Sequence, residues 1–136
     1  MASIAAIEGI GPKYAKILQG CGVRSCESLL TKGATKKGRK ELAELTKLGD
    51  ARILEWVNRA DLMRIKGVSS QYSDLLEAAG VDTVKELRRR RADNLTEAME
   101  AANAKKKNKL VQRPPSEKVV QKWIDQAKDL TAVVKY

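Results

Sequence analysis

The sequence predicts an all-α fold, and three of its features support that prediction. Apolar residues recur three or four positions apart along most of the 136 residues. The segments with this spacing begin at residues typical of helix N-termini and end near glycine. No segment alternates apolar and polar residues as a half-buried strand does. Because 43% of the residues are hydrophobic and none is phenylalanine, we expect small helices around a mostly aliphatic core.

The first half of the chain divides into four predicted helices. Each begins at a residue that favours a helix N-terminus, either a first-turn proline or a polar side chain that caps the first N–H groups. These residues are Pro12, Ser25, Thr35 and Asp50. The fourth helix, residues 51–63, is expected to bridge two units of the protein and to serve as the first helix of the second of two repeated motifs.

The helical pattern starts again after Gly67, where a helix follows directly. Thr83 caps a short helix, and residues 93–104 have the spacing of a further one. Residues 105–115 are predicted to form a loop, and Ser116 opens the last helix. These last helices are expected to form a C-terminal helical extension.

An internal repeat links the two halves. Residues 7–30 align without gaps on residues 65–88, and seven of the 24 aligned positions are identical. At ordinary residue frequencies, chance would give about one or two matches. We therefore predict two related units, residues 1–64 and residues 65–136, packed together as one body.

Each repeat begins with a glycine-containing turn that leads into a helix. The first turn is Ile7-Glu8-Gly9-Ile10-Gly11, followed by Pro12-Lys13-Tyr14-Ala15. This pattern resembles the helix-hairpin-helix motif. In the second copy, Gly67 and Val68 match the motif, but Ser69 replaces its second glycine. The resemblance implies two helix-hairpin-helix units.

The hairpins are candidate phosphate-binding sites for a physical reason. Glycines allow a ligand to approach the backbone closely, and a helix N-terminus offers unpaired N–H groups at the positive end of its dipole. The candidate residues of the two hairpins are Gly9, Ile10, Gly11, Lys13 and Lys16 in the first, and Lys66, Gly67, Val68 and Ser69 in the second.

The charge of the chain favours a polyanionic partner. The 27 Lys and Arg residues exceed the 17 Asp and Glu residues, for a net charge of +10 that the two halves share equally. Dense basic runs lie at residues 88–91 and 105–113. The further candidate cations for a nucleic-acid surface are Lys36, Lys37, Arg39, Lys40, Arg88 and Arg89.

Several function classes are disfavoured by the residues that are present. Without histidine, the chain offers no Ser-His or Cys-His pair, and two cysteines alone do not form a structural zinc site. We therefore expect no enzyme activity, no metal and no cofactor. We expect Cys21 and Cys26 to be reduced, Trp56 and Trp123 to be core residues, and Tyr14 and Tyr72 to pack with their hydroxyls at the surface.

The cellular location also follows from what the sequence offers. No apolar run approaches the roughly 18 residues of a membrane span, and the first residues lack the basic start of a signal peptide. We expect no membrane association and a cytoplasmic location, at the nucleoid if the protein binds DNA.

Three further segments resemble an uncharacterised bacterial family of tandem helix-hairpin-helix proteins. These segments are residues 53–62, 65–68 and 72–81. The resemblance covers nearly all of the chain and implies an all-helical fold. It implies no particular activity.

The sequence favours a non-enzymatic protein that binds nucleic acid without reading its sequence, with duplex DNA as the preferred ligand. RNA is a variant of this hypothesis. The alternative is a protein–protein interaction module that uses its hairpins as docking surfaces within a larger assembly. The oligomeric state is left open.

Overall fold

The computed structural model describes residues 3–7, 9–105, 111 and 113–135 of the chain. Within these residues the secondary structure is a short 3-10 turn, Ile4–Ala6, followed by eight α-helices. The helices are α1 Gly11–Gly20, α2 Cys26–Lys32, α3 Lys36–Thr46, α4 Asp50–Leu62, α5 Ser70–Ala78, α6 Val84–Leu87, α7 Ala92–Lys105 and α8 Glu117–Asp129. The predicted all-α fold is confirmed.

Four helices begin at the capping residues that the sequence predicts. Ser25, Thr35, Thr83 and Ser116 each accept a hydrogen bond from the backbone N–H three residues ahead. At the other end of α3, Lys47 adopts the left-handed conformation, with φ 60°, and stops the helix.

The chain divides into two compact units. The first comprises Met1–Asp61 together with Val133–Tyr136, and the second comprises Leu62–Ala132. The core of the first unit is aliphatic, as predicted, apart from one aromatic ring. It is formed by Ile4, Ile7, Ile10, Leu18, Val23, Leu29, Leu42, Ile53, Trp56 and Val57.

A short tail completes the first unit. The backbone N–H of Lys135 donates to the carbonyl of Ala34 over 2.7 Å, and Val134 is buried. The guanidinium of Arg39 donates to the carbonyl of Lys135 over 2.6 Å. Residues from the two ends of the sequence therefore build this unit.

The second unit packs α5 to α8 around its own core. Its buried side chains include Leu75, Leu76, Leu95, Met99 and Trp123. The side-chain amide of Asn103, in the last turn of α7, bonds both the N–H and the carbonyl of Val111, over 3.2 and 3.1 Å. These two hydrogen bonds hold Val111 against α7.

The helix in front of each hairpin differs between the units. Among the described residues, a 3-10 turn precedes the hairpin of the first unit, where the helix-hairpin-helix motif would place an α-helix. The hairpin of the second unit follows α4 in the chain. No helix among the described residues is long and apolar enough to cross a membrane.

Candidate nucleic-acid interface

Three isoleucines spaced three residues apart build the first hairpin. The N–H of Ile7 donates to the carbonyl of Ile4 over 3.1 Å, and the N–H of Ile10 donates to that of Ile7 over 3.3 Å. All three side chains are buried. These buried isoleucines therefore anchor the hairpin to the core, and its two glycines are exposed to solvent.

The two glycines of this hairpin have conformations that L-residues with a side chain rarely adopt. Gly9 has φ +93° and Gly11 has φ +63°. A Cβ atom at Gly9 would lie 3.4 Å from a guanidinium nitrogen of Arg59, whereas at Gly11 no atom lies within 4 Å. The backbone at Gly11 is therefore open to a ligand.

Helix α1 begins directly at this turn without a capping side chain. Its N-cap residue is Ile10, Pro12 occupies the first turn, and that turn contains no acidic residue. The N–H groups of Gly11 and Lys13 lie in the first turn of α1, where the helix provides no carbonyl to accept a hydrogen bond from them. The side chains of Lys13 and Lys16 are exposed beside them.

The second hairpin has the same hydrogen-bonding pattern but a different start to its helix. Ile65 donates to Leu62 and Val68 donates to Ile65, both over 3.1 Å. Gly67 has φ +94°, as Gly9 does, but Ser69 has φ −84° and caps α5 by accepting from the N–H of Tyr72. Serine can replace the second glycine because this backbone needs no positive φ.

The N–H of Lys66 is also engaged, since it donates to the side-chain carbonyl of Gln126 over 3.0 Å. The side chain of Lys66 is exposed. The second hairpin thus offers a lysine side chain and exposed glycine backbone, and its helix N-terminus is already capped.

An aromatic pair supports each hairpin. Tyr14 contacts Trp56 with ring centroids 5.5 Å apart, and Tyr72 contacts Trp123 at 5.3 Å. Both tryptophans are buried, as the sequence predicts, and both tyrosines are half-buried. The hydroxyl of Tyr14 accepts a hydrogen bond from Arg52 over 2.8 Å at an exposed position, so this tyrosine is placed as predicted.

The tryptophans belong to a second part of the repeat that the gapless alignment missed. Trp56-Val57 followed by Ala60 corresponds to Trp123-Ile124 followed by Ala127. This part is offset by 67 residues rather than 58, because the second unit has a longer connection before its last helix. The spacing of Trp, an aliphatic residue and Ala is the sequence signal that reveals it.

Arg39 is buried, so the prediction that counted it among the cations of an exposed basic surface is wrong. Only 6% of its surface is exposed, and its guanidinium donates to the carbonyls of Gly33, Ala34 and Lys135. Helical spacing places it in line with Leu42 and Ala43, the buried face of α3. This helical spacing indicates the burial of Arg39 more strongly than the surrounding basic residues indicate its exposure.

Two hairpin residues also need correction as backbone donors. The N–H groups of Ile10 and Val68 are engaged inside the hairpins, as described above, and their side chains are buried. They hold the turns on the core. The hairpin residues that remain available for ligand contact are therefore Gly9, Gly11, Lys13, Lys16, Lys66 and Gly67, with the Ser69 side chain engaged as a cap.

The other predicted cations lie at or near the surface. Lys36, Lys37 and Lys40 are exposed on α3, Arg89 is exposed, and Arg88 is half-buried. The rest of that arginine run is bound locally, since Arg90 pairs with Glu86 and Arg91 with Asp93. In the predicted loop, residues 106–110 and 112 lie outside the described residues, and Lys106, Lys107 and Lys109 are among them.

Nothing in the described part of the chain groups three or more potential metal ligands. The two thiols are free; Cys26 is buried and Cys21 is half-buried. Burial raises the pKa of the Cys26 thiol above its ordinary value, because the interior disfavours the thiolate.

Comparison with known proteins identifies a family but no individual related protein. No curated protein and no solved structure matches the chain significantly. The sequence profile of one family, described as a domain of unknown function (DUF4332), matches residues 8–130, which include the glycines of both hairpins and all eight helices described above. The chain belongs to this DUF4332 family.

Proposed function

We propose that this protein binds nucleic acid, with duplex DNA as the preferred ligand, and that it does so without catalysis and without reading base sequence. The observation that carries the proposal is the start of α1. There an uncapped helix N-terminus, an unobstructed glycine at φ +63° and two exposed lysines lie within six residues, Gly11 to Lys16.

Phosphate suits this arrangement for electrostatic and geometric reasons. Unpaired N–H groups at a helix N-terminus carry partial positive charge and bind anions, and a glycine lets the phosphate oxygens approach the backbone. Lys13 and Lys16 add full charges. The net charge of +10 attracts a polyanion to the protein from a distance.

Contacts of this kind position a nucleic acid and do not specify its sequence. Phosphates are the same at every base pair, so backbone contacts carry no sequence information. We favour a duplex because its regular phosphate spacing allows hairpins and basic helix faces to bind several phosphates of one ligand. A protein that binds DNA in this way would act at the nucleoid, in the cytoplasm.

A salt-resolved titration tests the proposal. Engagement of about 3–5 phosphates gives a slope of log affinity against log salt of about −3 to −4.5. Unrelated duplexes of equal length should bind within about 1 kcal/mol of each other, since one mismatch in a base-reading site costs about 1–3 kcal/mol. Tighter binding to structured RNA would identify RNA as the ligand instead. Absence of binding to every nucleic acid at low salt would leave the hairpins as protein-docking surfaces.

Two variants at equivalent positions of the two units then locate the contact. Lys13→Glu should weaken binding by about 1–3 kcal/mol, the range for a charged contact. Gln71→Glu at the equivalent position of the second unit adds a negative charge beside a capped helix, and it should cost less. Circular dichroism establishes that both variants are folded. If folded Lys13→Glu binds as well as the parent protein, the first hairpin is not the contact.

A further inference from the structure

A basic groove in the second unit combines two arginines of the basic run 88–91 with lysines of α8 that were not among the candidate residues. It has a volume of about 720 Å³ and runs between the segment 90–93, which leads into α7, and the outer face of α8. Five cationic side chains line it, together with two carboxylates, Asp93 and Glu117. The five are Arg90, Arg91, Lys118, Lys122 and Lys128.

The arginines are held in place and the lysines supply the excess charge. Arg90 donates to the carboxylate of Glu86 over 3.1 Å and to the carbonyl of Gly80 over 3.0 Å, which fixes its planar head. Arg91 pairs with Asp93 over 2.9 Å. Among the described residues, no ion pair involves Lys118, Lys122 or Lys128.

The groove and the second hairpin lie on different sides of α8. The hairpin lies against Gln126, whose side-chain amide bonds the backbone N–H and carbonyl of Lys66, and a Cβ at Gly67 would lie 3.2 Å from the ring nitrogen of Trp123. Most of the groove lies on another face of α8, where Gln121, Ile124 and Lys128 follow one another at helical spacing. Its Lys122 lies one turn before Gln126, at the border between the groove and the hairpin.

The first unit contains a groove at the corresponding place with different chemistry. It measures about 480 Å³ and is lined by Lys36, Arg39 and Lys40 of α3 and by Asp50, Ala51 and Leu54 of α4. Aligning α4 on α8 by their tryptophans places Ala51 at Lys118, Leu54 at Gln121 and Glu55 at Lys122. The fold therefore accepts small, apolar or acidic residues at these helix positions, so the packing of α8 does not require its lysines.

We propose that the groove of the second unit binds a run of linked phosphate groups. Its cations lie on two walls, and guanidinium and ammonium groups bind phosphate oxygens through charge-assisted hydrogen bonds. No aromatic side chain is among its described lining residues, so the groove has no ring on which a base could stack. It recognises the phosphates alone. Their source is either a nucleic-acid strand or a free inorganic polyphosphate.

The test uses the full chain, labelled with ¹⁵N, and inorganic tripolyphosphate at low ionic strength. Amide shifts should concentrate at residues 90–93 and 117–128. The variant Lys118→Ala/Lys122→Glu, which takes its residues from the equivalent positions of α4, should bind tripolyphosphate at least about tenfold more weakly. Lys85→Glu/Lys105→Ala makes the same charge change at exposed positions outside the groove, and it should lose much less affinity.

Lys128→Gln provides a second, milder variant and should also weaken binding. A 20-base-pair duplex then distinguishes the sources: if it shifts the same amides and tripolyphosphate displaces it, the groove serves a nucleic-acid backbone. If the duplex leaves these amides unshifted while tripolyphosphate moves them, the ligand is free polyphosphate. Absence of tripolyphosphate shifts at the groove, or equal affinity of the groove variants and the charge-matched control, would overturn the proposal. Neither result depends on the first hairpin, which Lys13→Glu tests separately.

Discussion

At Gly11 the backbone conformation, rather than the available space, restricts the side chain. No atom lies within 4 Å of a Cβ placed there, but φ is +63°. An L-residue in the left-handed region costs roughly 1–2 kcal/mol. Gly11→Ala should therefore lower the free energy of unfolding by about 1 kcal/mol, measured by urea denaturation. Gly20→Ala, at a helical position with equally open space, should be neutral or stabilising. Equal effects at both positions would contradict this explanation.

Arg39 is a buried cation with a structural role. Arg39→Met keeps much of the side-chain volume but removes hydrogen bonds to three carbonyls. Hydrogen bonds from charged groups contribute about 1.5–3 kcal/mol, and we expect a loss of stability in that range. The exposed neighbour provides the control, since Lys40→Met should stay within about 0.5 kcal/mol of the parent. A stable Arg39→Met protein in urea denaturation would show that the carbonyls are satisfied without it.

The two thiols should differ in reactivity. Burial raises the pKa of Cys26 above its ordinary value of 9.0, whereas Cys21 is half-buried. Because the thiolate is the nucleophile, iodoacetamide should modify Cys21 first, as mass spectrometry of the intact protein would show. Cys21→Ser should leave a slowly reacting protein, and equal rates for Cys21→Ser and Cys26→Ser would contradict this order.

The burial of Cys26 also makes the free energy of unfolding depend on pH. The folded state favours the neutral thiol, so the contribution of this thiol to stability is present below pH 9.0 and declines as the pH rises through the folded-state pKa.

At the scale of elements, α1 and α5 follow equivalent hairpins but begin differently. Ser69 caps α5 through its hydroxyl, whereas α1 has no side-chain cap. Ser69→Ala should destabilise the protein by about 0.5–2 kcal/mol, and Ser69→Gly by only a few tenths, as at other N-caps. Thermal unfolding followed by circular dichroism measures both. If glycine proves as costly as alanine, the hydroxyl is not what starts α5.

The helices could be predicted because their signals are local. A capping hydroxyl such as that of Ser25 or Ser116 bonds an N–H three residues away, so sequence spacing alone locates the helix start. Arg39 could not be assigned in the same way, because one of its acceptors is the carbonyl of Lys135, 96 residues away. The groove of α8 could not be predicted either, because only the fold brings its lysines opposite Arg90 and Arg91.

At the scale of the whole molecule, the first unit includes residues from both ends of the sequence. Residues 1–64 contain the hairpin, α1 to α4 and Arg39, but not the tail whose carbonyl Arg39 binds. A fragment of about 60 residues is also marginal in the surface it can bury. We therefore expect residues 1–64 to be poorly folded when expressed alone. A cooperative thermal transition that matches the full chain would contradict this.

Removal of the tail from the otherwise full chain isolates its contribution. Ending the chain after Ala132 removes the N–H bonded to Ala34, the carbonyl bonded to Arg39 and the buried side chain of Val134. A buried donor that loses its acceptor costs about 1–3 kcal/mol, and more if it is charged, so the truncated protein should unfold at lower urea concentration. Val134→Ala should give a smaller loss, from the apolar contact alone. Lys135→Ala keeps the backbone bonds and should leave the urea midpoint unchanged, because the exposed Lys135 side chain is not what fixes the tail. If the truncated chain and Lys135→Ala unfold at the same midpoint, the tail contributes no stability to the first unit, and Arg39 is satisfied by Gly33 and Ala34.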